Sequence, residues 1–146
     1  MKQAAPEIRD LARALLAQET NHNRHALEAA QIALSVFDNL RSHLSKLVGI
    51  AGFQALLARA LALATTEVSW LGVVRVQADA TLEGFREAAQ PQTTQAVAAG
   101  SEALLAQLLR LLSTFIGEAL TLRLVQDIWP EAEASAQSKD TEETPA

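Results

Sequence analysis

Residues 94–128, TQAVAAGSEALLAQLLRLLSTFIGEALTLRLVQDI, decide how the rest of the chain is read. From Leu104 through Leu112, Phe115, Ile116 and Leu124 to Ile128, apolar side chains recur on so many faces that little polar surface is left. That is the pattern of a helix surrounded by other helices. Unbroken, it spans roughly 50 Å. A bend is expected at Gly100, with Ser101 re-capping, and Pro130 ends the run. Arg110, Glu118, Arg123 and Asp127 argue against a membrane span.

Upstream, the same helical logic holds. Pro6 suits a first turn, and Ile8, Leu11, Leu15 and Leu16 follow at helical spacing to about Thr20. Asn21-His22-Asn23 interrupts the pattern. From Arg24 it resumes with Leu27, Ala30, Leu34, Phe37, Leu40, Leu44 and Leu47, the cleanest amphipathic stripe in the chain, ending at Gly49. Gly49-Ile50-Ala51-Gly52 reads as a turn, and a third helix follows from Phe53 to about Thr66.

Residues 68–86 break the helical character. Val74-Arg75-Val76-Gln77 alternates, Ala78-Asp79-Ala80 suits a turn and Thr81 to Phe85 suits a return, so a short β-hairpin is preferred. The alternative is a helix with Arg75, Asp79 and Glu83 on one solvated face. A lone hairpin is marginal in water and has to lie on the helices or pair with another copy. The expected fold class is therefore all-α, a bundle of about four helices in residues 1–130 with this insertion.

Composition supports that class and removes others. Ala and Leu fill 52 of 146 positions, which favours helix over sheet. With no cysteine, disulfide scaffolds, zinc-thiolate sites and cysteine nucleophiles are excluded. The net charge of −5, from 12 basic and 17 acidic residues, argues against nucleic-acid binding. Most of that charge lies in residues 131–146, where Glu131, Glu133, Asp140, Glu142 and Glu143 face Lys139 alone. This acidic tail is expected to be disordered and to keep a near-neutral body soluble. The first residues lack an apolar signal-peptide core, so the cytoplasm is the expected compartment.

Two patterns bear on function. Ser113, Gly117 and Thr121 form a row of small residues at four-residue spacing, a geometry that lets another helix approach closely. Its occupant is either a helix of a second copy or partner, or a helix of the same chain. Glu118 beside it requires a cationic partner if buried, with Arg110 or Arg123 as candidates. Trp70 and Trp129 are candidate interface anchors, or rings that seal the ends of the core. Glu19-Thr20-Asn21-His22 has the Glu-x-x-His spacing of di-iron bundles but stands alone, so no metal or other cofactor is expected. There is no nucleophile elbow and no phosphate-binding glycine loop.

The second pattern is His43-Leu44-Ser45-Lys46. It resembles the His-x-x-Lys segment of histidine phosphotransfer domains, which are small helical bundles. The resemblance implies that an exposed His43 accepts a phosphoryl group whose charge Lys46 holds one turn later. It covers about ten residues; Leu47 replaces the glycine that usually follows the lysine, and the 68–86 insertion has no counterpart there.

The sequence thus points to a non-enzymatic interaction or assembly module that forms a homo-oligomer or binds a protein partner through its C-terminal helix and hairpin. Phosphotransfer at His43 is the alternative, and a carrier with an Ala/Leu-lined cavity a third possibility.

Overall fold

The computed structural model describes residues 6–19 and 26–130. The acidic tail and Glu19-His22 expectations rest on residues that lie wholly or partly outside these. The described chain is mostly helical: α1 (Pro6–Glu19), α2 (Ala26–Val48), α3 (Ile50–Glu67), α4 (Phe85–Ala89), α5 (Thr94–Ile116) and α6 (Glu118–Ile128). A 3-10 turn (Ser69–Val73) and strands β1 (Arg75–Val76) and β2 (Leu82–Glu83) lie between α3 and α4.

α5 is the axis of the fold, as its composition demands. It packs against α1, α2, α3 and α6. Leu104, Leu105, Leu108 and Leu109 are fully buried along it, facing Leu15 of α1, Leu40 and Leu44 of α2, and Phe53 and Leu57 of α3 in one core. Thr93 caps its start by accepting the Ala96 amide at 3.0 Å. By length and composition α5 could cross a membrane, yet most of its apolar window is buried inside the molecule.

The long C-terminal helix does not bend at Gly100. It breaks at Gly117, whose φ of 97° and ψ of 147° lie outside the helical region and in territory that disfavours a β-carbon. Gly100 stays helical. The Gly49–Gly52 turn also contracts to Gly49 alone, and α3 already starts at Ile50.

The hairpin forms, in shorter strands than expected. Arg75 pairs with Glu83 and Val76 with Leu82 in antiparallel register, so the alternative of one helical Arg75/Asp79/Glu83 face is excluded. Phe85 starts α4 instead of extending the return strand, which lets its ring meet Trp70 edge-on at 5.6 Å. The hairpin is laid on the helices: Ala80 at its tip is buried, and Arg86 just beyond it donates to Gln31 of α2.

Candidate functional site

The break at Gly117 rearranges the small-residue row. Ser113 closes α5, its carbonyl accepting the Gly117 amide at 2.9 Å, and Thr121 lies in α6, donating both its amide (3.1 Å) and its hydroxyl (2.9 Å) to the Gly117 carbonyl. The three residues staple a corner between two helices and do not line a groove on one. Thr121 is buried, Ser113 half-buried and Gly117 exposed.

Glu118 is exposed in the first turn of α6, where a carboxylate complements the helix dipole. It is not a buried charge that needs a cation. Arg110 turns away from it and donates through Nε and Nη2 to Gln107 Oε1 at 3.2 and 3.1 Å.

That arginine belongs to a polar network that sequence reading missed. Gln107 is fully buried and donates to Glu67 Oε2 at 2.7 Å. Arg9 Nη2 donates to Glu67 Oε1 at 2.8 Å, and Arg13 Nη2 to Glu102 Oε2 at 3.0 Å. The cluster ties α1 to α3 and α5 beside a cleft of about 340 Å³ lined by Arg9, Thr66, Glu67 and Glu102. The only local signal was Arg9 and Arg13 at i, i+4; Glu67 and Gln107 stand 40 positions apart.

The tryptophans occupy different settings. Trp129 is buried at the end of α6. Trp70 is half-buried, donates to the Ala96 carbonyl at 3.1 Å and rests on Gly100.

Large apolar side chains are exposed at the α5–α6 corner: Phe115 at 65%, with Leu120 and Leu122 at 37% and 36%. Leu47 and Ile50 are exposed where α2 turns into α3. The antiparallel course of α3 and α5, with Glu67 opposite Gln107 and Trp70 beside Ala96, puts both corners toward the same end of the molecule.

His43 and Lys46 are both exposed on α2. His43 Nδ1 lies 2.9 Å from the Asn39 carbonyl oxygen. The neutral ring donating there keeps its lone pair on Nε2.

A second cleft of about 340 Å³ separates α2 from the hairpin, lined by Gln31, Ser35, Asp38, Arg41 and Thr81. Asp79 at the hairpin tip accepts from the Thr81 amide (3.2 Å) and hydroxyl (2.6 Å), and these bonds hold its carboxyl below the usual aspartate value. Among the described residues no group of three or more His, Asp or Glu side chains assembles as a metal site would require.

Comparison of the chain with protein-family models, with curated proteins and with solved structures found no match.

Proposed function

We propose that this chain is a non-enzymatic assembly module that self-associates through its C-terminal helices, with α1, α2, α3 and α5 serving as a four-helix bundle that carries them. The observation behind this reading is the apolar α5–α6 corner. Phe115 leaves about two-thirds of its surface in water on the last turn of α5, and Leu120 and Leu122 of α6 are also exposed, although α5 buries more apolar residues than any other helix. An exposed aromatic ring at a helix corner is the kind of side chain that anchors an interface. The body contributes little electrostatic repulsion, since residues 1–130 carry 12 acids against 11 bases. In this reading the hairpin, with Val73 exposed at its base, is a secondary contact, and the cytoplasm the working compartment.

Sedimentation of the full chain and of Phe115→Ser tests it. An anchoring ring is worth about 2 kcal/mol, so the variant should dissociate at roughly tenfold or more higher concentration. Equal association of the two chains removes the corner from the interface.

A second reading is favoured by one observation. His43 is exposed, and its Nδ1 contact with the Asn39 carbonyl leaves Nε2 as the nucleophilic nitrogen, with Lys46 one turn on. Phosphotransfer predicts an acid-labile phosphate after exposure to a phosphodonor, absent in His43→Gln. No incorporation into the unaltered chain eliminates it.

A further inference from the structure

Two helix corners share one end of the molecule. α2 turns into α3 at Gly49 (φ 82°), and α5 turns into α6 at Gly117 (φ 97°). Nothing lies within 4 Å of a β-carbon built at either glycine, so no other part of the described chain covers the two turns. Because α2 and α3 both pack against α5, the corners stand about one helix spacing apart, on the order of 10 Å. Both expose large apolar side chains, Leu47 and Ile50 at the first and Phe115 and Leu120 at the second.

The charges of the two corners are opposite. From residue 42 to residue 58, Lys46 is the only lysine, arginine, aspartate or glutamate, and from residue 111 to residue 122 Glu118 is the only one. Both side chains are exposed. Neither takes part in an ion pair among the described residues, where the paired arginines are Arg9, Arg13 and Arg41. One corner is thus apolar with a single free cation, and the other apolar with a single free anion.

We propose that the α5–α6 corner of one copy docks on the α2–α3 corner of a second copy, Phe115 against Leu47 and Ile50 and Glu118 against Lys46, with the same contact repeated across a two-fold axis. The inference rests on the self-association proposed above and names the surface that receives Phe115. Charge complementarity argues for this occupant. A partner that satisfies both corners has to offer an anion opposite Lys46 and a cation opposite Glu118, each beside apolar side chains, and a two-fold-related copy does so. Since both corners lie at the same end of the chain, the contact closes as a pair and does not propagate into a fibre.

Charge reversal at the two corners tests the docking. Full-length Lys46→Glu and full-length Glu118→Lys each set like charges together in both contacts of their own dimers. In a mixed dimer every charge meets its opposite: one contact holds the original pair and the other the reversed pair. The unaltered chain, each variant and their equimolar mixture are compared by sedimentation at low ionic strength, where exposed pairs are least screened. Each variant alone should dissociate at a concentration roughly tenfold higher than the unaltered chain, the factor expected from two exposed pairs turned repulsive, and the mixture should return to within about twofold of it. If circular dichroism shows that Glu118→Lys unwinds α6, Ile50→Ser replaces the charge pair and should raise the dissociation concentration roughly fivefold, as loss of one apolar contact predicts. An unaltered chain that dimerises, with a mixture no better associated than its parts or, in the replacement arm, an Ile50→Ser chain that associates as the unaltered one does, overturns the docking and leaves self-association standing. A protein that stays monomeric throughout, unaltered chain included, overturns both.

Discussion

The indole of Trp70 lies directly on the backbone of Gly100. A β-carbon there would sit 2.5 Å from Trp70 Cζ2 and 2.9 Å from Cε2, closer than real contacts allow. The same indole donates to the Ala96 carbonyl one turn earlier in α5, so the ring is fixed at two points and has no free rotation by which to yield. It thereby joins the 3-10 turn after α3 to the first turns of α5.

Gly100→Ala should therefore destabilise the protein although alanine favours helix. The propensity gain of about 1 kcal/mol is outweighed by overpacking of about 1–3 kcal/mol against the indole. The expected net loss is about 1–2 kcal/mol in chemical denaturation, together with a change in Trp70 fluorescence. Trp70→Leu/Gly100→Ala should recover part of the loss, because the smaller side chain opens the space.

Gly117 presents the opposite case. Nothing lies within 4 Å of a β-carbon built there, so substitution meets backbone strain and no clash. Gly117→Ala should cost about 1–2 kcal/mol and act mainly on α6, seen as faster amide exchange at Thr121 and Val125 with the centre of α5 unchanged.

Two buried polar groups on α5 should respond differently to removal. Ser101 Oγ is buried with no hydrogen-bond partner, so Ser101→Ala should be neutral or stabilising by up to about 1 kcal/mol. Gln107 is paired with both Glu67 and Arg110, and Gln107→Ala takes the partner from Glu67 Oε2 and from Arg110, leaving Glu67 its bond to Arg9, while opening a cavity. A loss of about 2–3 kcal/mol is expected in the same denaturation experiment.

The hairpin tip should loosen in acid. Asp79 titrates below its ordinary value of 3.8 because its ionised carboxylate accepts from the Thr81 hydroxyl and amide. A depressed carboxyl contributes stability that is present above that ordinary value and lost as pH falls through the folded value. The Thr81 amide resonance should therefore shift below about pH 4 and remain still in Asp79→Ala. A Thr81 amide that does not move in the unaltered chain contradicts the assignment.

Local signals account for what was readable in the chain. Leu34, Phe37, Leu40 and Leu44 mark α2 through spacing alone, and Val74 to Gln77 mark a strand through alternation. Gly117 was visible as a small residue but not as a break, since glycine at four-residue spacing from Ser113 and Thr121 also fits a continuous helix. The bend expected at Gly100 was misplaced for a tertiary reason. Glycine is needed there to admit Trp70, 30 positions earlier, and nothing near residue 100 announces it. Likewise the burial of Glu118 stays open in the sequence, where residues 94–128 fit one continuous helix, and the break at Gly117 leaves it exposed in the first turn of α6. The Arg9, Arg13, Glu67, Glu102 and Gln107 network depends on which helices meet, and composition is blind to that.

The most direct test of the account is the mass of the full chain in solution, measured by light scattering over increasing concentration. Self-association predicts a rise to at least twice the 15.6 kDa of one chain, with the rise displaced to higher concentration by Phe115→Ser. A mass that stays at 15.6 kDa throughout contradicts it.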